Sequence, residues 1–360
     1  MRVAVAHEWL VRYAGSERCV EEMLVAFPGA QLVTTVVEPS AVPHSLAGAK
    51  PSFLQRLPGS RTHHEWFLPL MPLAWRTTRV SGELDAVISS SHACAKAVRA
   101  ENGVPHLCYC YTPMRYAWDF RAEHQRFPAP LRPAARAGMA WFRSWDRRTA
   151  ERVDRFVAIS RAVAERVRRF YGREAEVVHP PVNTEYFTPG GERGDEFLYV
   201  GRLVSYKRAD LVVRAFAGLP HRLVVVGQGH LAERLQATAT DNVRFVGAAY
   251  DNELRELYRS ARALVYPADE DFGIVMAEAQ ACGTPVVAAA AGGALDIVRP
   301  GETGWLVNGG DVDELRRAIA RAAAEELDTA AIRANAVRFS RERFRVELRD
   351  AVERLVAARG

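Results

Sequence analysis

Arg202, Lys207, Glu270 and Glu278 are the residues of this sequence whose types and spacing could do chemistry together. Arg202 and Lys207 follow the apolar run Phe197–Val200, in the stretch Gly201-Arg202-Leu203-Val204-Ser205-Tyr206-Lys207-Arg208. Two cations just past a strand can neutralise a diphosphate. Glu270 lies in the acidic loop Asp269-Glu270-Asp271, after the apolar run Ala263–Tyr266, and Glu278 follows eight residues later. The pattern predicts a helix from near Gly273 to just before Gly283. Its first N–H groups have no partner within the helix and can hold a phosphate or sugar-phosphate oxygen. A carboxylate in the loop and another on the helix can grip the hydroxyls of a polyol. The plainer reading is an acidic helix start that complements the helix dipole, at roughly 0.3–1 kcal/mol per charge. It accounts for the three loop acids but leaves Arg202 and Lys207 without a purpose.

Lysine usage sharpens the point. Only three of the 48 basic residues are lysine: Lys50, Lys96 and Lys207. A chain that uses arginine for generic charge keeps lysine where a compact point charge suits the site, as in a crowded phosphate site. Asp269 and Asp271 offer a D-x-D pattern, but no metal is expected, since Arg202 and Lys207 already supply the counter-charge. Val226-Gly227-Gln228-Gly229-His230 holds a G-x-G fragment without the third glycine of a dinucleotide loop, which is weak evidence.

The elements that must position these groups read as two domains, the default for 360 residues. Strands are predicted at Val3–His7, Gln31–Val37, Ala86–Ser89, His106–Tyr111 and Phe156–Ile159. In the second half they fall at Phe197–Val200, Arg222–Val226, Val243–Val246, Ala263–Tyr266, Pro285–Ala288 and Trp305–Val307. Helices alternate with them, the first opening at Gly15-Ser16-Glu17 with Ser16 as its cap. The alternation predicts an α/β protein with doubly wound parallel sheets. Ligands would then sit at the strands' carboxyl ends. The segment from Glu38 to Pro72 reads as irregular, and its His63-His64 pair as surface residues. The expected domains are 1–185 and 186–340, with 341–360 as a helix packing back on the first domain.

Hydrophobic content of 49% and 25% charged residues describe a soluble globular chain. No apolar run approaches the roughly 20 residues that cross a bilayer. Met1–His7 reads as a buried strand and not as a signal peptide. Five scattered cysteines without metal spacing fit reduced thiols in the cytoplasm. The net charge is +5, yet Arg121–Arg173 alone carries 14 arginines against 5 acids, with Trp141, Phe142 and Trp145 among them. That stretch fits an anionic membrane surface or polyanionic acceptor, and equally a solvated helix face. No nucleic-acid module accompanies the charge, so nucleic acid is not an expected partner.

Taken together, Gly201-Arg202, Lys207, the Glu270/Glu278 pair and the loop Gly292-Gly293-Ala294-Leu295-Asp296 resemble retaining glycosyltransferases of family 4. The likeness extends to His7-Glu8-Trp9-Leu10, Ser89-Ser90-Ser91-His92 and Tyr109-Cys110-Tyr111-Thr112-Pro113-Met114-Arg115-Tyr116-Ala117-Trp118-Asp119. These resemble the GDP-mannose-dependent mannosyltransferases of bacterial O-antigen and exopolysaccharide assembly. The resemblance implies the GT-B fold, two Rossmann-like domains facing a cleft. It implies that a hexose, mannose first, passes from a nucleotide-diphosphate sugar to an acceptor hydroxyl with retention. Arg202 and Lys207 would neutralise the leaving diphosphate, Glu270 would hold the donor sugar, and Glu278 the ribose. Phe272, Gly273 and Ile274 would offer backbone N–H groups, and Gly201, Gly247 and Gly15 would flank the donor. His7, His92, Tyr111, Arg115 and Tyr116 become candidates on the acceptor or sugar side. The acceptor would be a glycan, glycolipid or small molecule, met in the cytoplasm or at the inner face of the membrane, and no cofactor is implied.

Two departures from the family stand out. Tyr111 occupies the place of the usual histidine, and a phenol titrating near pH 10 is a poor neutral-pH base. His92 or His106 is left to take up that contact. The N-terminal glycine pair is reduced to Ala14-Gly15. Two other readings stay open: a natural-product glycosyltransferase using a UDP- or dTDP-sugar, and a catalytically silent sugar-nucleotide-binding subunit. A sugar-nucleotide epimerase fits less well, because it has no use for the Glu270/Glu278 spacing.

Overall fold

The computed structural model describes residues 1–100, 103–118 and 132–359, leaving aside the side chains of Ala100, Tyr116 and Asp251. The expectation for the Tyr116 side chain, and for the basic stretch from 121 to 131, falls outside the described residues. The chain forms two compact units: Met1–Pro181 with Phe344–Gly360, and Val182–Arg343.

The first unit contains β1 (Val3–His7), β2 (Gln31–Thr34), β3 (Lys50–Pro51), β4 (Arg79–Val80), β5 (Ala86–Ser91), β6 (Arg99–Ala100), β7 (His106–Cys110), β8 (Arg155–Ala158) and β9 (Ala175–Val177). Seven of these form a parallel sheet in the order β3-β2-β1-β5-β7-β8-β9, while β4 and β6 pair separately. The second unit contains β10 (Phe197–Val200), β11 (Leu223–Val226), β12 (Val243–Gly247), β13 (Leu264–Tyr266), β14 (Val286–Ala289) and β15 (Gly304–Val307). Its sheet is parallel throughout, in the order β12-β11-β10-β13-β14-β15. The inner strands read as unbroken apolar runs such as Leu-Val-Val-Val and Val-Val-Ala-Ala, and they are buried on both faces. That is the pattern of a parallel sheet covered by helices on each side.

Strand order reverses between β1 and β5 in the first sheet and between β10 and β13 in the second. A crevice opens beyond the carboxyl ends at such a point. His7 and Ser90 stand opposite each other at the first. The Gly201–Arg208 stretch and the Pro267–Phe272 loop emerge side by side at the second.

Several local expectations change. The first helix is Gly15–Ala26 with Ala14 as its N-cap, so Ser16 lies inside the first turn. Ser16 donates its hydroxyl to Glu17 Oε1 at 3.0 Å, and Glu17 reaches back to accept the Ala14 N–H at 2.9 Å. Half of a capping box therefore closes without a capping hydroxyl. β5 continues through Ser91, which puts Ser90 and Ser91 inside the strand. The stretch from Glu38 to Pro72 is not irregular but a series of short helical turns interrupted by β3, leading into His64–Leu70 and Met71–Thr77. His64 is half-buried, its ring 4.6 Å from Trp9, and not a plain surface residue.

Candidate functional site

In the second unit, strand register decides who meets whom. Tyr199 on β10 and Tyr266 on β13 stack with ring centroids 5.9 Å apart, both fully buried. The Tyr199 hydroxyl donates to the Lys207 carbonyl at 3.2 Å and so anchors the turn Ser205–Lys207. Lys207 Nζ donates to the Tyr266 hydroxyl at 2.8 Å and forms an ion pair with the Glu270 carboxylate. Burial, aided by the charge of Glu270, pushes the Tyr266 phenol well above its ordinary pKa, so it stays neutral. Arg202 donates to the Tyr206 hydroxyl at 2.5 Å, and Lys207 lies 5.6 Å from the centre of the same ring. One exposed aromatic ring thus stands between the two cations. The structure brings Arg202, Lys207 and Glu270 together. Tyr199, Tyr206 and Tyr266 organise them, a role the sequence reading did not assign.

The loop carrying Glu270 is held from behind. Gly293 N–H donates to the Glu270 carbonyl at 2.8 Å. A Cβ on Gly292 would come within 2.1 Å of that carbonyl oxygen, and one on Gly293 within 2.3 Å of Phe272. Only a glycine pair lets the two loops touch at this point. Gly273, at φ +84°, is the N-cap of helix Ile274–Ala281; the Ile274 and Val275 N–H groups precede any acceptor within that helix, while the Met276 N–H donates to the Gly273 carbonyl at 3.0 Å. Glu278 lies on this helix but is buried, and the Tyr258 hydroxyl donates to it at 3.2 Å. One oxygen of its carboxylate therefore already has a partner inside the unit. Gly247 ends β12 with its carbonyl accepting the Gly227 N–H at 2.6 Å. Gly201, at the end of β10, donates its N–H to the Val226 carbonyl at 3.0 Å. Beside Tyr206 and Asp269 opens a cavity of about 660 Å³, lined further by Arg208, Asn308 and Glu314.

The first unit holds a second cluster at the ends of β1, β5 and β7. His7 Nδ1 is 3.0 Å from Ser90 Oγ, which is 2.9 Å from the Tyr111 hydroxyl, which donates to the Ser16 carbonyl at 3.0 Å. On its other side His7 Nε2 faces Glu17 Oε1 at 3.4 Å. Burial opposes the Glu17 charge, but hydrogen bonds from His7, Ser16 and its own turn outweigh it and bring the carboxyl down to about 2. Burial pushes the Tyr111 phenol well up, which keeps it protonated. His92 lies with its ring 6.2 Å from both His7 and Tyr111, and burial lowers its pKa. His106 begins β7 at the opposite end from Tyr111 and bonds Ser89 Oγ at 2.8 Å, so it lies away from the Tyr111 hydroxyl, whereas His92 lies beside Tyr111. Gly15 opens the first helix with open space where a Cβ would stand, and Arg115 is exposed on the short helix Arg115–Trp118. Glu17 was legible only as a helix-opening acid; its partner His7 lies ten residues earlier on a strand, a separation no local pattern reveals.

Two groups sit away from these clusters. Lys96 is buried in an ion pair with Asp146, which also accepts from Trp118 Nε1 and the Tyr171 hydroxyl, each at 2.7 Å. That scarce lysine serves the core of the first unit and not a phosphate. Among the described residues, no group of three or more His, Cys, Asp or Glu side chains is arranged to hold a metal ion. No helix among them is long and apolar enough to cross a membrane.

Residues 13–186 match the family described as Glycosyltransferase Family 4, and residues 188–339 match Glycosyl transferases group 1. The chain is 33% identical over 195 residues to a D-inositol 3-phosphate glycosyltransferase of Mycobacterium sp. (strain JLS), covering 47% of this chain and 44% of that protein. It is 35% identical over 202 residues to the protein of that name from Mycobacterium bovis, covering 48% and 42% respectively. The match spans less than half the length of these curated relatives. Among solved structures, sucrose-phosphate synthase of Thermosynechococcus elongatus is 20% identical with a TM-score of 0.74, covering 99% of this chain and 100% of that one. Anabaena HepE in complex with UDP and glucose is 18% identical with a TM-score of 0.72, covering 98% and 100%. The two parallel-sheet units have the GT-B fold of such structures.

Proposed function

We propose that this chain, with one family match in each half, is a glycosyltransferase of the GT-B type that moves a hexose from a nucleotide-diphosphate sugar to an acceptor hydroxyl with retention. The observation that carries the reading is the meeting of Lys207, Tyr266 and Glu270 where strand order reverses, with Arg202 alongside. A donor diphosphate needs cations that do not themselves react, and Arg202 and Lys207 are two such groups on one turn. As the bond from the anomeric carbon to the diphosphate oxygen breaks, negative charge grows on the leaving group. Lys207 and Arg202 stabilise it, while Glu270 holds sugar hydroxyls and faces the positive charge on the sugar. Stabilising both fragments at once is the main catalytic task. The acceptor oxygen then bonds the same carbon from the leaving-group side, and its proton passes to the departing phosphate oxygen. The Phe272–Ile274 N–H groups, Gly201 and Gly247 flank the donor in this proposal, and Glu278 holds the ribose. In the first unit, Gly15 faces the phosphates, and His7, His92, Tyr111, Arg115 and Tyr116 serve the sugar or the acceptor. No metal takes part in this proposal.

For the donor we propose GDP-mannose first, on the sequence resemblance around Tyr109–Asp119. A UDP-sugar is the second reading, because HepE, which shares the fold, has been solved with UDP and with UDP-glucose. Thermal-shift titration with GDP and UDP, followed by turnover of GDP-mannose and UDP-glucose, separates them. Stabilisation by GDP alone supports the first donor and stabilisation by UDP alone supports the second. Binding by neither overturns the reading.

A further inference from the structure

Arg208 is the only non-glycine residue with a positive φ among the described residues, at φ 56° and ψ 30°. In this left-handed region a Cβ crowds the backbone, and glycine is the residue that adopts it freely. The position is the N-cap of helix Ala209–Phe216, where glycine is also well tolerated. The chain nevertheless keeps an arginine here, and the contacts of its side chain are long. Its Nη1 donates to the Gly309 carbonyl at 3.4 Å, and Nε stands 3.7 Å from Asp210 Oδ1. Such strain collects where a site uses the residue, and the guanidinium opens onto a cavity.

That cavity is the one of about 660 Å³ beyond the ends of β13, β14 and β15, a size within the roughly 300–1,000 Å³ of small-molecule sites. Asp269 and the Asn308 side chain line it too, and neither side chain has a hydrogen-bonding partner among the described residues. Glu314 adds a second carboxylate, of which Oε1 accepts the Asn308 N–H at 2.9 Å. One guanidinium against two carboxylates gives a balance of 1 − 2 = −1, which disfavours an anionic ligand. A neutral ligand that donates and accepts at several points suits the set. Arg208 only donates, the carboxylates only accept, and the Asn308 amide does both. The neighbouring hydroxyls of a sugar ring meet all three kinds. Tyr206, 45% exposed, supplies an aromatic ring of the kind that packs against the C–H face of a sugar.

We propose that this cavity is a carbohydrate subsite of the second unit, in which Arg208, Asp269 and Asn308 hold the hydroxyls of one sugar residue. Tyr206 joins it to the donor cations, since its hydroxyl accepts from Arg202 at 2.5 Å and its ring centre lies 5.6 Å from Lys207 Nζ. The donor sugar has its own partner in Glu270, which does not line the cavity. Resting on the glycosyl-transfer reading, the residue bound here therefore belongs to the acceptor. The acceptor is then a glycan or a glycan-bearing molecule and not a bare hydrophobic alcohol.

The test is a saturation-transfer NMR titration of the full chain with the methyl glycosides of mannose, glucose, galactose and rhamnose, without any donor. At least one of them should bind the wild type. Arg208→Gly should lose about tenfold or more of that affinity, the scale of a lost hydrogen bond to a charged group. Its melting temperature should stay at or above that of the wild type, because glycine relaxes the left-handed turn. Asn308→Ala should weaken binding by about fivefold, and Glu270→Gln should leave it unchanged. Binding of none of the four glycosides, equal binding by Arg208→Gly, or a loss confined to Glu270→Gln overturns the proposal. A melting temperature well below the wild type in Arg208→Gly also overturns it, since the arginine would then serve the turn itself. The titration needs no turnover. A chain that binds a glycoside through Arg208 but transfers nothing from GDP-mannose or UDP-glucose counts against the glycosyl-transfer reading and not against the subsite.

Discussion

Lys207 and Glu270 meet across the ends of two neighbouring strands, and the hydroxyl of Tyr266 shares the same ammonium at 2.8 Å. The carboxylate assigned to the sugar is thus the counter-ion of the lysine assigned to the diphosphate. In the proposed function, a donor entering this site would supply its own negative charge to Lys207 and release Glu270 toward hydroxyls. Glu270→Gln keeps the shape of the site and removes that counter-charge. Transfer should fall by roughly 10²-fold or more, the scale of losing one aimed electrostatic group. Nucleotide affinity should hold or rise slightly, because Lys207 no longer has a carboxylate to leave. Steady-state turnover beside calorimetric nucleotide binding checks this, and an equal collapse of both would remove Glu270 from the sugar.

Lys207→Arg conserves the charge but not the geometry. The ammonium sits between a hydroxyl and a carboxylate with its side chain mostly buried, and a planar guanidinium has a different fork and greater width. We expect turnover to drop about tenfold or more while the melting temperature stays close to that of the wild type. Wild-type turnover in this variant would show that the retained lysine has no special role.

Tyr266→Phe removes only the hydroxyl that accepts from Lys207. Its loss should cost about 1 kcal/mol, or roughly fivefold, of whatever the lysine contributes. The effect should appear in kcat and in diphosphate affinity together. Combining Tyr266→Phe with Lys207→Ala should add little to the lysine variant alone, a coupling that a double-mutant cycle reads directly.

The sheets were legible because buried parallel strands announce themselves as short apolar runs between helical stretches, and the two switch points follow from that order. Arg202, Lys207 and Glu270 were legible because each lies just past such a run. The organising tyrosines were not. Tyr199 and Tyr266 are strand residues whose rings read as core, and only the pairing of β10 with β13 sets one hydroxyl on Lys207 and the other on its carbonyl. The His7–Glu17 contact was hidden for a similar reason. The first helix has to fold back along β1 before a residue of its opening turn meets a residue at the strand's end. Lys96 misled in a specific way, since its scarcity signals a confined charge but does not say whether a phosphate or Asp146 confines it.

Lys96→Met tests that last distinction. Removing one member of a buried pair leaves Asp146 charged within the core, with Trp118 and Tyr171 as its remaining side-chain donors among the described residues. Such losses run to about 3–5 kcal/mol. Chemical denaturation should show a loss of that size in the first unit's transition, while nucleotide binding by the folded protein stays unchanged. Weakened nucleotide binding without loss of stability would instead make Lys96 a phosphate ligand.

His106 provides a pH signature in the same unit. Burial lowers its pKa from 6.5 to about 4, with the charge of Asp154 opposing the shift and that of Lys96 adding to it. In the fold it is neutral and bonded to Ser89, whereas in the unfolded chain it takes up a proton near its ordinary value. The unfolded state therefore binds more protons between these two values, and stability falls as pH drops through that window. Above about pH 6.5 the contribution is complete, and below about pH 4 it is gone. A shift of this size corresponds to roughly 3 kcal/mol. Urea denaturation at closely spaced pH values should show that decline in the wild type. In His106→Gln the amide can still reach Ser89 but cannot titrate, so the slope between pH 6 and 4.5 should flatten by up to about 1.4 kcal/mol per pH unit. Equal slopes in the two proteins would mean that His106 carries the same charge folded and unfolded.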